Sequence, residues 1–374
     1  PAVVDFNEAM NPNSPEIWED KSNVASAAEG APLPYSWNNN VAQARTGMLT
    51  ARRSGGAQRR IDRSSGKNVV SHDYYNHQQV HTSLEPHGAV AQWSGPKQLR
   101  VMASTQTVRS LRTEIAEHFD LEEEQVTVEA HYIGGWYHEI RAAVTMARYT
   151  NGRPVRIIDS RLEDLAYSTL RPGSLTKTTL VSKDDGTPEA IQMHAYGNAG
   201  SANGTMAATF GWVTGPSGAY YDHKDFSVVT NTANGTAFRG PDMPAALWAQ
   251  EQAVDEAAEK LSLDPVTIRR RWYPDHEIKS RLLDWVESIP AWKELRDNPD
   301  RSGRFRRGIG LSTAAWFYNY NPKAEVRVSS SPEGIKVSNS TQDIGNGTRT
   351  SIAMAIEDLM GISRHDVIID IGNA

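Results

Sequence analysis

Cysteine is absent from the 374 residues of this chain. Its absence excludes disulfides, cysteine-ligated iron–sulfur clusters, thiolate zinc sites and a cysteine nucleophile from this sequence. It also fits a reducing compartment. No run of 18 apolar residues occurs either, so the sequence holds no candidate for a membrane span. We therefore expect a cytoplasmic protein, or a periplasmic one where the chain is exported with a partner.

Basic residues are fewer than acidic ones, with 39 Lys and Arg against 45 Asp and Glu and a net charge of −6. This balance argues against a general nucleic-acid binder. Residues 41–70 are the exception, because they hold a run of arginines with Asp62 as the single acid. Two interpretations of this segment stay open: a solvated basic loop, or a docking segment for an acidic partner or a phosphate.

From residue 88 onward, the sequence shows both the helical and the strand periodicity of apolar residues. Apolar residues at helical spacing predict helices, among them one that starts at Val108 and another over Asp242–Leu261. Asp264-Pro265 is typical of an N-cap followed by the first helical residue. Two hairpins are predicted, one turning at residues 184–186 and one at 331–334. Residues 272–307 read as a charged, Trp-rich excursion over the surface. With no internal repeat, this mixture predicts an α+β fold of layered mixed sheets and helices.

The two ends suggest that the chain is one piece of a larger unit. Residue 1 is Pro, and residues 366–371 read as a strand that lies only three residues from the last one. We expect a processed fragment or one of several split chains.

Four short segments have the composition of a binding site. Gln106 follows a predicted strand, and its side-chain amide can both donate to and accept from an oxo group or a pterin edge. Gly134-Gly135-Trp136 is either a plain tight turn or a point of close approach to a ligand. In Phe238-Arg239-Gly240 the arginine suits a phosphate or a carboxylate, or lies free on the surface. Gly345-Asn346-Gly347 opens a predicted helix and presents backbone N–H groups to an anion, unless it is an ordinary turn.

The order of these segments resembles the molybdenum-cofactor subunit of the xanthine dehydrogenase and aldehyde oxidase family over nearly the whole chain. The supporting motifs between them include Leu84-Glu85-Pro86, Arg171-Pro172-Gly173 and Asp264-Pro265. The resemblance implies a molybdopterin, in some members the cytosine dinucleotide, whose dithiolene holds Mo without a protein ligand. Gln106 would then lie beside the Mo oxo group. The segments Gly134-Gly135-Trp136, Phe238-Arg239-Gly240 and Gly345-Asn346-Gly347 would bind the cofactor.

The resemblance also implies a reaction and partners. The reaction is oxidation of an aldehyde, or hydroxylation of an N-heterocycle, with water as the oxygen source and a small molecule as the substrate. Electrons would pass to Fe–S and FAD subunits. The base glutamate of the family lies in a C-terminal half that is not in this chain, so a further chain would carry the rest of the molybdopterin domains. Residues 1–40 would end a preceding domain, 41–320 form the first molybdopterin-binding domain and 321–374 begin the second.

Two positions depart from the family pattern. The usual Gly-Gly-Gly-Phe-Gly turn is here Gly134-Gly135-Trp136-Tyr137, and Asn346 stands in place of a glutamine that is longer by one methylene. These departures leave two alternatives open: a non-catalytic subunit that holds or assembles the cofactor, and an unrelated soluble interaction protein.

Overall fold

The fold is α+β, as the sequence predicts. The computed structural model describes residues 2–21, 36–43, 54–134, 140–201, 215–236, 238–241, 243–297, 302–316 and 322–374. The described helices are α1 Phe6–Ala9, α2 Ser54–Ile61, α3 Val108–Phe119, α4 Ile140–Ala147, α5 Arg161–Tyr167, α6 Met243–Leu261, α7 Pro265–Trp272, α8 Glu277–Ser288, α9 Pro290–Asp297 and α10 Thr348–Met360. The described strands are β1 Ser36–Asn38, β2 Val41–Gln43, β3 Val69–Asn76, β4 Gln79–Val80, β5 Gly88–Trp93, β6 Leu99–Ala103, β7 Val126–Glu129, β8 Val155–Ile158, β9 Leu170–Arg171, β10 Ser174–Ser182, β11 Pro188–Gly200, β12 Tyr220–Val229, β13 Arg327–Ser331, β14 Gly334–Asn339 and β15 Val367–Ile371.

The chain forms two compact units that are each discontinuous in sequence. Unit 1 comprises residues 1–79 and 169–318, and unit 2 comprises residues 80–168 and 319–374. The chain therefore leaves unit 1 after β3 and returns to it at β9. The division into segments 1–40, 41–320 and 321–374 stays a prediction.

Unit 1 is built on a six-stranded sheet in the order β1-β2-β12-β11-β10-β3. All neighbours are antiparallel except β11 and β12. Consecutive residues of a strand point to opposite faces, so Leu180 lies under α6 while Val181 lies under α2. The face of α6 towards the sheet is rich in alanine, as at Ala246, Ala249 and Ala253, and all three are completely buried. The helix can therefore pack closely on the strands.

Local signals in unit 1 match the sequence expectations. The hairpin of β10 and β11 turns at residues 184–186, where Gly186 has a φ of +84°. The Asp264 carboxylate accepts from the N–H of Val266 at 2.7 Å and caps α7, with Pro265 as its first residue. Within the predicted surface excursion over residues 272–307, α8 and α9 cover residues 277–288 and 290–297. Leu283 and Trp292 are buried against α7, and this burial supplies the apolar face that each helix needs.

Unit 2 contains a four-stranded sheet in the order β7-β6-β5-β8 and a three-stranded sheet in the order β13-β14-β15. The helices α3 and α4 cover one face of the first sheet, with Leu111, Ile115 and Val144 in the core. The chain continues beyond β15 as a partner of β7, since the N–H of Val128 donates to the carbonyl of Ala374 at 2.8 Å. This pairing joins the two sheets of the unit.

None of the helices in the described ranges combines the length and apolar character that crossing a bilayer requires.

Candidate functional site

Gln106 lies in a short loop between β6 and α3. The two residues before it, Ser104 and Thr105, are buried, and the Thr105 hydroxyl accepts from the N–H of Thr107 at 3.1 Å. Gln106 itself is partly buried. Within the described ranges its side-chain amide has no hydrogen-bond partner. The loop therefore holds a polar amide whose donor and acceptor are both available to a ligand.

Glu85 links the Gln106 loop to the turn at Gly134. One carboxylate oxygen accepts from the Ser104 hydroxyl at 2.9 Å, and the other accepts from the backbone N–H of Gly134. A Cβ on Gly134 would lie only 2.9 Å from the Glu85 Cβ, so glycine is required for this close approach. Glu85 was not among the predicted site residues, although it belongs to the Leu84-Glu85-Pro86 motif. Gly135 and Trp136 lie outside the described residues.

The Gly134 turn and the Gly345-Asn346-Gly347 turn are neighbours in unit 2. The N–H of Ile133 donates to the carbonyl of Asp343 at 3.3 Å, and Tyr132 forms a parallel bridge with Asp343. Gly347 has a φ of +75°, which a residue with a side chain rarely adopts, and it opens α10. Two predicted segments that are more than 200 residues apart in sequence therefore lie side by side.

Asp343 accepts hydrogen bonds from backbone N–H groups at the start of α10, which the sequence presents as candidate donors to a bound anion. Its carboxylate accepts from Gly345 N at 3.0 Å and from Arg349 N at 3.2 Å. Burial raises the pKa of Asp343, but these N–H donors, that of Gly347 and the charge of Arg349 outweigh it and hold the pKa below its usual value. The turn thus carries its own anion. The Asn346 side chain accepts from the Thr348 hydroxyl at 2.9 Å and is exposed.

Arg349 fixes the first turn of α10 to the strands beside it. Its guanidinium donates to the carbonyls of Ile369 at 2.8 Å and Ile371 at 3.2 Å, and it lies 4.6 Å from the centre of the Tyr132 ring. Arg349 and Asp343 were not predicted from the sequence. The position of the turn at the start of a helix was the only local signal for them.

The Phe238-Arg239-Gly240 loop belongs to unit 1 and is held by Arg171. The Arg171 guanidinium donates to the carbonyls of Arg239 at 2.8 Å and Gly240 at 3.2 Å, and it stacks 4.3 Å from the centre of the Phe238 ring. Gly240 has a φ of +68°, and apart from its two chain neighbours no described residue lies within 4 Å of the place where its Cβ would be. The side chain of Arg239 is exposed.

A cavity of about 390 Å³ opens in unit 2 beside these turns. Glu85, Ser104 and Tyr132 line its polar end, and Met102 and Ile158 contribute apolar surface. This volume is within the range of small-molecule sites, about 300–1,000 Å³. Across the described part of the chain, no group of three or more His, Asp or Glu side chains is placed to hold a metal ion.

Family models identify the fold that carries these turns. The molybdopterin cofactor-binding domain model matches residues 41–273, and a second model of the same description matches residues 285–374. The chain belongs to the xanthine dehydrogenase and aldehyde oxidase family of molybdenum-cofactor-binding subunits. The predicted family and fold class are thereby confirmed.

Individual relatives of this molybdopterin-binding chain agree with the family. It is 26% identical over 353 residues to the aldehyde oxidoreductase molybdenum-binding subunit PaoC of Escherichia coli O157:H7, covering 83% of this chain and 45% of the relative. It is 23% identical over 320 residues to the putative xanthine dehydrogenase molybdenum-binding subunit XdhA of Escherichia coli K12, covering 77% and 42%. The crystal structure of quinoline 2-oxidoreductase from Pseudomonas putida 86 superposes with a TM-score of 0.71 at 19% identity, covering 100% of this chain and 50% of that one. The chain thus spans about half the length of the proteins it matches.

Proposed function

We propose that this chain is the molybdopterin-binding part of a molybdenum hydroxylase that oxidises an aldehyde or hydroxylates an N-heterocycle with water as the oxygen source. The observation that carries the proposal is the linkage inside unit 2, made by the Glu85 side chain and by the backbone and side chain of Asp343. Glu85 joins the Gln106 loop to Gly134, and Asp343 joins the Gly134 turn to the Gly345–Gly347 turn. Three segments that are remote in sequence are held together, with the Gln106 amide left available.

Each unit, taken by itself, has donors that suit an oxygen-rich, anionic ligand. Unit 2 has the Gln106 side-chain amide. In unit 1, the 238–240 loop has the Gly240 N–H and the exposed Arg239 side chain. Neutral amides and a guanidinium are the groups that bind phosphate and pterin oxygens. No thiolate is required of the protein, because the pterin dithiolene supplies the sulfur ligands of Mo. The residues present therefore fit molybdopterin.

Each residue has a defined part in this proposal. Gln106 in unit 2 would hold the cofactor through its side-chain amide. We assign the 238–240 loop of unit 1 to cofactor binding as well. Since Asp343 uses the N–H groups of Gly345 and Arg349, we assign pterin contact at that turn to the exposed amide of Asn346 rather than to the backbone. When bound, molybdopterin supplies the two-electron oxidation of the substrate carbon. Electrons then leave to Fe–S and FAD subunits, and another chain or segment provides the base glutamate and the remaining pterin contacts.

A non-catalytic subunit that holds or assembles the cofactor is the second candidate. The altered turn favours it, because Asp343 already occupies the anion-binding N–H groups and Asn346 is shorter than the family's glutamine. In such a subunit the pterin would be retained without turnover.

Analysis of the native assembly tests both candidates. We expect Mo and pterin near one equivalent per chain, and reduction of an artificial dye with aldehydes or N-heterocycles as substrates. Mo and pterin without turnover over a broad substrate panel would support the second candidate. The absence of both Mo and pterin would refute the proposed function.

A further inference from the structure

Arg171 contacts every residue of the Phe238-Arg239-Gly240 loop through one side chain. Its Nη2 donates to the Arg239 carbonyl at 2.8 Å, its Nη1 to the Gly240 carbonyl at 3.2 Å, and its planar face covers the Phe238 ring. The Nε donates to the Gln79 side chain at 3.2 Å, so a third hydrogen bond holds the guanidinium. Arg171 is 7% exposed, so these bonds are shielded from water.

The carbonyls of Arg239 and Gly240 accept hydrogen bonds from Arg171, and this fixes the direction of the backbone N–H groups in the loop. In a trans peptide the C=O and the following N–H point in opposite directions. Because the Arg239 carbonyl faces Arg171, the N–H of Gly240 faces away from it. Among the described residues nothing accepts a hydrogen bond from this N–H, and the space beside Gly240 is open. The next peptide has no donor, since residue 241 is Pro.

We propose that Arg171 is a positioning residue that orients the 238–240 loop so that the Gly240 N–H is presented as a donor to an anionic or oxo-bearing ligand. The ligand assignment rests on the proposed function, in which it is molybdopterin. Arg171 acts through the loop and does not itself touch the ligand. A lysine cannot replace it fully, because an ammonium lacks the rigid fork that reaches two carbonyls and the flat face that stacks on Phe238.

Trypsin cleavage of the full-length protein in its native assembly measures the loop directly. The Arg239–Gly240 bond is a potential tryptic site with an exposed arginine, whereas Arg171 is followed by Pro172, which protects it. We expect Arg171→Gln to accelerate cleavage after Arg239 roughly tenfold or more, since it removes two hydrogen bonds from a charged donor and so favours local opening. Arg171→Lys should fall between this variant and the unmodified protein.

Arg269→Lys is the matched control. Arg269 is also a buried arginine of unit 1, and its contacts go to Glu251 at 2.8 Å and Asp255 at 2.9 Å instead of to the loop. Its replacement should lower overall stability without accelerating cleavage after Arg239 under native conditions. Equal acceleration in this control, or none in either Arg171 variant, would overturn the positioning role.

Mo and pterin content per chain gives the second measurement. We expect the content to fall in Arg171→Gln, to be partly retained in Arg171→Lys and to be unchanged in Arg269→Lys. A freely cleaved loop with full cofactor content would overturn the assignment of the loop's donor to this ligand. If the unmodified assembly holds neither Mo nor pterin, the proposed function is refuted, while the order of cleavage rates still decides whether Arg171 positions the loop.

Discussion

Replacing Glu85 with alanine is expected to release the Gly134 turn from the Gln106 loop. The carboxylate accepts from the Ser104 hydroxyl and from the Gly134 N–H, and Ser104 is only 5% exposed. Each bond to a charged group contributes about 1.5–3 kcal/mol. Allowing for water that reaches the partly exposed site, the loss of both is expected to cost about 3 kcal/mol.

Glu85→Gln is the control for the negative charge, because it keeps the side-chain volume and can keep both hydrogen bonds. Its amide oxygen can accept from the Gly134 N–H while its NH2 group donates to the Ser104 hydroxyl, which then acts as an acceptor. Both partners stay satisfied, so the cost should stay below about 1 kcal/mol. Ser104→Ala should lie between the two, because it removes one of the two bonds.

Hydrogen exchange of backbone amides in the native assembly measures the effect where it arises. A cost of about 3 kcal/mol corresponds to roughly hundredfold faster exchange in peptides that contain residues 130–134. Peptides from the β10–β11 hairpin in unit 1 serve as the internal reference. Similar exchange in Glu85→Ala and Glu85→Gln would refute the reasoning, because the two hydrogen bonds that only the glutamine variant keeps would then not hold the turn.

Three further predictions concern the pH dependence of stability, the Gln106 side chain and the turn at Gly347. Burial lowers the pKa of His223 to about 4 against the opposing effect of Asp222, so the unfolded chain binds this proton more readily. The contribution of neutral His223 to the free energy of unfolding is complete above about pH 6.5 and falls towards pH 4. At pH 5 the loss is about 2 kcal/mol. In His223→Gln, the denaturation midpoint should therefore change less between pH 7 and 5 than in the unmodified protein. Gln106→Ala should lower turnover roughly tenfold to hundredfold, while Mo content and thermal stability stay unchanged because the amide has no partner among the described residues; equal loss of Mo and activity would indicate a structural role. Gly347→Ala should lower the free energy of unfolding, measured by chemical denaturation, by about 1–2 kcal/mol, because Gly347 has a φ of +75°. No described residue would obstruct its Cβ. Gly308→Ala is the control, at an equally open position without a positive φ, and should cost almost nothing.

Elements defined by local signals could be predicted from the sequence. The helix predicted from Val108 onward is α3, and the cap at Asp264 starts α7 as expected, since apolar spacing and capping depend on residues within one or two turns. Both hairpins have their turns at the predicted positions. Strand β12 was not predicted, because buried polar residues such as His223 and Asp225 interrupt the alternation that marks a half-buried strand. Strand β3 was not predicted either, and its buried residues are Val70 and Tyr74, four positions apart.

The candidate site likewise has features that the sequence predicts and features that it does not. Its turns could be found, because glycine and asparagine mark them in the sequence. The side chains that hold the turns could not, because Glu85 reaches Gly134 across 49 positions and Arg171 reaches Arg239 across 68. Nothing within either segment indicates such a pairing. The roles of the predicted cofactor-binding residues stay predictions.

The insertion of residues 80–168, the first segment of unit 2, between β3 and β9 has a consequence for folding during synthesis. The Ser71 and Thr179 hydroxyls pair 108 positions apart, so β3 cannot join its sheet until a hundred later residues have left the ribosome. Strands β5 to β8 of the inserted segment contain their own sheet and can form first, and this shortens the flexible loop that β3 and β10 must close. We expect nascent chains in which β8 has left the ribosome and β10 has not to protect the inserted sheet from protease while β3 is still cleaved.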